Sequence, residues 1–395
     1  MLKSTIEDIE VAGRRVLLRV DFNVPLRKDG TISDESRIHA CLPTINYLVE
    51  RGGRVIICSH MDRPNGKVVP ELSLKPVAER LSQLLARPVG MQGDCVGPEV
   101  ESAVSQLGAG EIILLENLRF HSEEEANDRN FAQALAHLAE VYVDDAFGVS
   151  HRAHASVVGV AEFLPAVAGF LMAKELAILG KALENPVRPF AAVIGGAKVG
   201  GKLAVLENIV DKVNILLVGG GMVATFFKGL GYQVGDSPVE SDKVVYVREL
   251  IARADSLGVR LRLPSDVIVT EKIAEGAACR TVQATDIPAG WVIADIGPQS
   301  VAEFSRELKR CRTVLWNGPM GVFEIGSFAE GTKQLAEVLA ELDATTIIGG
   351  GSTAEAVVSL GFDGKMSHVS TGGGASLEFL KGKMLPGVAV LKDKP

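Results

Sequence analysis

The chain has 395 residues, 47% of them hydrophobic and 23% charged, which suits a soluble globular protein of roughly two or three domains. Its formal net charge of −8 argues against a nucleic-acid or anionic-membrane partner held by bulk charge, so any anionic ligand needs a local grip. The five cysteines form no C-x-x-C pair, and Met1–Glu10 holds no apolar core of a signal peptide; both fit a reducing cytoplasm.

In chain order, Val16-Leu-Leu-Arg-Val20 reads as a buried strand that opens into the polar loop Asp21-Phe-Asn-Val-Pro25. A helical stripe follows over Arg37 to Glu50, with Ile38, Cys41, Leu42, Ile45, Leu48 and Val49 on one face. The alternation continues. Val55–Cys58 is a strand before Ser59-His-Met-Asp-Arg-Pro64, and Lys75–Leu85 is helical. Glu111–Leu115 is a strand before Glu116-Asn-Leu-Arg119, and Phe131, Leu135 and Leu138 stripe a helix. Val141–Val143 is a strand before Asp144-Asp-Ala-Phe-Gly148. Such a pattern predicts a parallel sheet with right-handed crossovers, and ligands then sit beyond the carboxyl ends of the strands.

Ala166 to Leu183 reads as one long helix, and Glu184-Asn-Pro-Val-Arg-Pro189 as its exit into a second domain. There the alternation restarts. Phe190–Ile194 leads to Gly195-Gly-Ala-Lys198, Ile215–Val218 to Gly219-Gly-Gly221, Thr313–Trp316 to Asn317-Gly-Pro-Met-Gly321, and Thr345–Ile348 to Gly349-Gly-Gly351. Asp242–Asp255 and Ala329–Leu342 are helices between them, Ser370-Thr-Gly-Gly-Gly-Ala-Ser376 opens another, and Val388–Leu391 is a strand-like run. The expectation is an α/β protein of two doubly wound parallel-sheet, Rossmann-like domains joined by a helix hinge.

The loops carry the chemistry. Gly196-Ala-Lys-Val-Gly-Gly-Lys-Leu203 falls one residue short of a P-loop, because Leu203 has no hydroxyl for Mg²⁺. A glycine turn with two lysines can still hold phosphates; the alternative is a tight turn with solvated lysines. Gly219–Ala224 and Gly349–Ala354 both fit G-x-G-x-x-A, read either as nucleotide contacts or as close helix–strand packing. In the first half, Arg37, His60, Arg63, Arg119 and Arg152 lie in or beside loops after strands, which suggests a small, multiply anionic substrate. Asp21 and Asn23 are placed to read its hydroxyl, although Asn23 could equally cap a turn. Asp144-Asp145 reads as a metal pair or, more simply, as carboxylates ordering a loop. A cation cluster in one half and a nucleotide cradle in the other imply phosphoryl transfer across a cleft.

These motifs together resemble those of the phosphoglycerate kinase family. Arg19-Val-Asp-Phe-Asn-Val-Pro25, Ser59-His60 with Arg63-Pro64, Glu116-Asn-Leu-Arg-Phe120, Asp144-Asp-Ala-Phe-Gly148 and Ser150-His-Arg-Ala-His154 carry the likeness in the first half. Gly195-Gly-Ala-Lys198, Trp316-Asn-Gly-Pro-Met-Gly-Val-Phe-Glu324 and Ser370-Thr-Gly-Gly-Gly374 carry it in the second. The resemblance implies a monomeric cytoplasmic enzyme of glycolysis and gluconeogenesis. It would move a phosphoryl group reversibly between 1,3-bisphosphoglycerate and ADP, giving 3-phosphoglycerate and ATP, with Mg²⁺.

By that likeness Asp21, Phe22, Asn23, Arg37, His60, Met61, Asp62, Arg63, Arg119 and Arg152 bind the substrate. Lys202, Glu324, Gly350, Gly351, Ser352 and Thr353 meet the nucleotide, and Arg37, Lys198, Lys202, Gly373 and Gly374 serve the transfer. Residues 1–170 would form the 3-phosphoglycerate domain, rejoined by 376–395, and 171–375 the nucleotide domain. Two departures stand out: Ser352 where the family commonly carries Asp, which leaves the metal ligands unassigned, and Gly200-Gly201 where it often has Ser-Asp. Rival readings are an NAD-dependent dehydrogenase, from the G-x-G-x-x-A matches, and a catalytically silent metabolite-binding protein.

Overall fold

A computed structural model describes residues 3–394. It divides into two compact units, Met1–Ala177 with Met384–Pro395, and Ile178–Lys383. The helix Phe170–Glu184 contains the first division, which falls later than the sequence places it.

The first unit is built on strands β1 (Arg15–Arg19), β2 (Arg54–Cys58), β3 (Val89–Met91), β4 (Ile112–Leu114), β5 (Val141–Asp144) and β6 (Ala166–Ala168). They pair in parallel throughout, in the order β3-β4-β2-β1-β5-β6. The central strands read as unbroken apolar runs because helices cover both faces of the sheet. Val16, Leu18, Val55, Ile57 and Val143 join Ile38, Cys41, Ile45 and Leu48 of the helix Ser36–Glu50 in one core. The chain leaves β1 on one side for β2 and later returns to its other side with β5, so the order reverses at β1.

The second unit repeats the scheme with β7 (Phe190–Ile194), β8 (Ile215–Val218), β9 (Arg260–Arg262), β13 (Thr313–Asn317), β14 (Thr345–Gly349) and β15 (His368–Val369). Their order is β15-β14-β13-β7-β8-β9, again all parallel, and the reversal falls between β7 and β13. A separate antiparallel sheet, β11-β10-β12, is formed by β10 (Asp266–Thr270), β11 (Cys279–Gln283) and β12 (Val292–Ile296). No strand is expected there on sequence grounds.

Two elements differ from expectation. The run from Ala166 is not one helix: Ala166–Ala168 pairs with Tyr142–Asp144, and the helix begins only at Phe170. Asp145 causes the break. Its carboxylate accepts from Leu171 N (2.8 Å) and Met172 N (3.2 Å), capping the helix from a distant loop. Gly169 permits the approach, since a Cβ there would lie 2.2 Å from Asp145 Oδ1. Second, Val388–Leu391 is not a strand. Pro386–Ala389 forms a helical turn, with Pro386 at its start, where no N–H is required. The pairing is made just downstream, by Lys392 N to Ala166 O (3.0 Å) and Ser4 N to Lys392 O (2.8 Å).

Candidate active site

Four strand ends of the first unit supply its polar cluster. Arg19, the last residue of β1, is fully buried, which a guanidinium tolerates only when its donors are met. It donates to Ser156 Oγ (2.9 Å), to Val20 O, and to His60 Nδ1 (3.2 Å). Since arginine only donates, Nδ1 of His60 accepts and Nε2 carries the proton. Burial, with the charges of Arg19, Arg119 and Arg37, holds the His60 pKa well below the usual histidine range. His60 is therefore a neutral hydrogen-bond donor and not a base in waiting.

His154 follows the same logic. Burial first, then Arg119, Arg19 and Arg152, depress its pKa to about 3. Arg19, Arg37, Arg119 and Arg152 are the cations whose charge the imidazoles of His60 and His154 feel, Arg19 by direct contact with His60. Buried Glu124 is the counterweight, accepting from Ser156 N (2.9 Å) and Ser156 Oγ (2.6 Å).

Around this cluster the loops are pinned. Arg37 Nη1 lies 2.9 Å from Asp21 Oδ1, which also accepts from Asn23 N (3.2 Å). Asn23 Oδ1 accepts from Asp62 N (2.9 Å), tying the loops after β1 and β2 together. Arg119 donates to Asp62 O (2.7 Å) and pairs with Glu125 (3.3 Å). Asn117 fills its whole hydrogen-bonding capacity: Oδ1 accepts from Met61 N and Arg119 N (both 3.1 Å), while Nδ2 donates to Met61 O (2.8 Å) and Leu72 O (2.9 Å). Phe22 and Met61 are buried beneath the cluster, whereas Asp62 and Arg63 are exposed. Arg19, Asn117, Glu124 and Ser156 are absent from the site expected on sequence grounds. Arg19 carried a signal: it is the one charged residue within Val16–Val20 and had to find partners.

In the second unit the glycine loops converge at the strand-order reversal. Gly195 N donates to Asn317 O and Gly196 N to Pro319 O (both 3.0 Å), and Gly220 N donates to Met320 O (3.0 Å). A Cβ on Gly219 would meet Met320 Sδ at 2.3 Å, and one on Gly220 would meet Gly196 N at 2.5 Å. Those two glycines are thus required by packing.

Lys202 is different. Its Nζ donates to Asn317 Oδ1, and burial, helped by the charge of Lys381, lowers its pKa to about 8. Asn317 is fully buried and its Nδ2 has no partner among the described residues. Gly350, at φ +88°, leaves it room. Thr353 Oγ1 accepts from Gly318 N (2.6 Å), so the helix Gly351–Ser359 is fastened to the β13 loop. Ser352, Glu324 and Lys198 are exposed. Gly373 (φ +44°, ψ −102°) precedes the helix Gly374–Leu380, and the N–H groups of the two glycines have no acceptor inside that helix. A half-desolvated ammonium, an orphan amide N–H and glycine N–H groups form a set suited to phosphate oxygens.

A family model described as phosphoglycerate kinase matches residues 6–383. The chain belongs to the phosphoglycerate kinase family. It is 56% identical over 394 residues to a phosphoglycerate kinase of Pelotomaculum thermopropionicum and 54% identical over 394 residues to that of Moorella thermoacetica, covering 100% of both chains in each case. Among solved structures it is similar to the phosphoglycerate kinase of Coxiella burnetii, with 39% identity, a TM-score of 0.89 and 98% of both chains covered. It is also similar to that of Pyrococcus horikoshii OT3, with 32% identity and a TM-score of 0.84, covering 99% of this chain and 98% of that one. Family membership sets aside the dehydrogenase reading of the G-x-G-x-x-A matches. Asp236, its nearest candidate for a ribose ligand, is exposed and accepts from Gly290 N (3.1 Å).

Proposed function

We propose that this chain is a phosphotransferase that moves a phosphoryl group reversibly between 1,3-bisphosphoglycerate and ADP, giving 3-phosphoglycerate and ATP. The observation that carries the assignment is the pair Lys202–Asn317, a desolvated cation and an unpaired amide donor at the strand-order reversal of a six-stranded parallel sheet. The guanidinium cluster of the first unit suits the substrate's phosphate and carboxylate, with Arg37, Arg63, Arg119 and Arg152 as ion partners. His60, Asp21 and Asn23 fix its hydroxyl and orientation, and Phe22, Met61 and Asp62 shape the loops. Lys202, with Gly350, Gly351, Ser352 and Thr353, takes the nucleotide phosphates, and Glu324 takes the ribose.

In the forward direction an oxygen of the ADP β-phosphate attacks the acyl phosphate. Its P–O bond breaks, and the electron pair leaves with the carboxylate of 3-phosphoglycerate. Little covalent work falls to the protein; positioning and charge stabilisation dominate. Arg37, Lys198 and Lys202 neutralise the phosphoryl in flight, and Gly373 and Gly374 donate N–H groups to its oxygens.

The helices opening after these glycine loops, from Leu203, Val223, Gly351 and Gly374, carry no acidic residue in their first turns. Such a donor set fits Mg²⁺ carried on the nucleotide phosphates with its own waters, and not a carboxylate cage. When bound, the ion supplies charge neutralisation between the phosphates. Monomeric state and cytoplasmic location complete the proposal. Five unbridged cysteines, four of them buried, suit a reducing compartment, and no helix among the described residues is long and apolar enough to cross a membrane.

The test is a coupled assay with 3-phosphoglycerate and Mg²⁺-ATP on the purified chain, alongside thermal-shift binding of ADP and NAD. Turnover and a shift with ADP alone are expected. A folded sample without turnover would leave only the metabolite-binding reading.

A further inference from the structure

The loop between β7 and the helix Leu203–Ile209 carries Lys198 and Lys202; Gly196 is hydrogen-bonded to Pro319 and Val199 is buried, which leaves the turn at Gly200-Gly201 as its least anchored part. Gly200 and Gly201 offer no side chains, and the helix starts without a side-chain cap. A tether for the turn before the helix does arrive, from 40 residues away. Glu240 reaches across so that Gly200 N donates to both of its carboxylate oxygens, at 3.1 and 3.3 Å.

Glu240 is itself anchored. Its backbone N–H donates to Thr225 Oγ1 (3.1 Å), and Thr225 is buried in the helix Val223–Gly229 that follows β8. Lys243 lies on the same side: a Cβ at Gly200 would stand 2.8 Å from Glu240 Oε1 and 3.9 Å from Lys243 Cε. The bare Gly200 is therefore what lets the carboxylate close on the backbone.

We propose that Glu240 is a positioning residue for the phosphate-binding loop, acting through Gly200 to hold Lys198 and Lys202 where nucleotide phosphates meet them. The inference rests on the function proposed above. A glycine pair has more backbone freedom to lose than any other, so an untethered loop would sample many arrangements before binding. One carboxylate bonded to its N–H removes part of that freedom in advance, which lowers the ordering cost charged to nucleotide binding. Glu240 does not touch the reacting atoms.

The test compares Glu240→Ala, Glu240→Gln and Asp242→Asn with the unmodified chain. Asp242 pairs with Lys243 (2.9 Å) and is exposed, so its replacement changes the local charge without touching the loop. Glu240→Ala is expected to raise the KM for ADP about three- to tenfold, the scale of one hydrogen bond, with the KM for the acyl phosphate substrate and the Tm unchanged. Glu240→Gln keeps an acceptor oxygen and gives a smaller rise. Asp242→Asn gives none.

Hydrogen exchange of the Gly200 amide should accelerate in Glu240→Ala without nucleotide, a readout independent of turnover. The double variant Glu240→Ala with Gly201→Asp restores a local acceptor and should recover most of the lost affinity. The Gly201 backbone does not require positive φ, and a Cβ there meets nothing closer than 3.9 Å. An unchanged ADP KM and unchanged exchange in Glu240→Ala would overturn the inference while leaving the assignment of function intact. An inactive unmodified chain would instead overturn that assignment.

Discussion

Lys202 donates a hydrogen bond from its ammonium to Asn317; the lysine comes from the loop after β7, and the asparagine is the last residue of the adjacent parallel strand β13. The amide oxygen accepts one hydrogen bond but carries no charge to neutralise the lysine. Burial is therefore uncompensated, and the pKa falls to about 8. The ammonium is the form that binds phosphate. The alkaline limb of kcat/KM for ADP should accordingly fall as pH rises through about 8. With nucleotide bound the phosphates favour the charged form, so the limb of kcat should lie higher. Lys202→Arg keeps its charge at all accessible pH, and its alkaline limb should disappear even though geometry lowers its overall rate.

Arg37 is the second case. Its ion pair with Asp21 holds the guanidinium half-buried beside His60. If it stabilises charge in the transition state, Arg37→Ala lowers kcat about 10²- to 10³-fold while substrate KM changes only modestly. Steady-state kinetics in both directions decides this; a change confined to KM would reduce Arg37 to a substrate anchor.

How much of this is readable beforehand varies with the kind of signal. Strands β1, β2, β5, β7, β8, β13 and β14 are legible because a strand covered on both faces is a continuous apolar run ended by a polar loop. β11 is not: Cys279–Gln283 is mostly exposed, so its sequence shows no run to read, whereas β10 and β12 carry short buried apolar runs that no strand–loop–helix alternation brackets. The break at Gly169 is invisible because its cause, Asp145, lies 24 residues earlier. Arg37, Arg119 and Lys202 can be proposed from their residue type and their place in or beside loops that follow strands. Asn117 and Glu124 cannot, since nothing local distinguishes a buried, hydrogen-bonded amide or carboxylate from a surface one.

Asn117 yields a stability prediction. Asn117→Asp keeps the shape but turns two donated hydrogen bonds into contacts between a carboxylate and the carbonyl oxygens of Met61 and Leu72. A cost of about 2–4 kcal/mol is expected, read as a lower urea midpoint with unchanged slope. Because Asn117 also anchors Met61 N and Arg119 N, binding of 3-phosphoglycerate should weaken in the same variant, seen as a raised KM.

The last prediction concerns acid. His154 is neutral in the folded chain down to about pH 3, whereas in the unfolded chain it takes up a proton near 6.5. Between those values the unfolded state binds more protons, so this residue's contribution to stability is present above about pH 6.5 and is lost as pH falls. At pH 5 the loss is about 2 kcal/mol, and His60 adds to it in the same direction. Asp144 and Asp295 oppose it. Burial raises both carboxyls to about 7, so their contribution is fullest below about pH 4 and is lost as pH rises through 7. The net slope for the whole protein is thus a contest, and a single variant isolates one side. His154→Leu cannot take up a proton in either state. Urea unfolding at about pH 7 and pH 5 should show it losing about 2 kcal/mol less than the unmodified chain on acidification. Equal losses in the two proteins would mean that burial and the surrounding guanidinium charges do not keep His154 neutral.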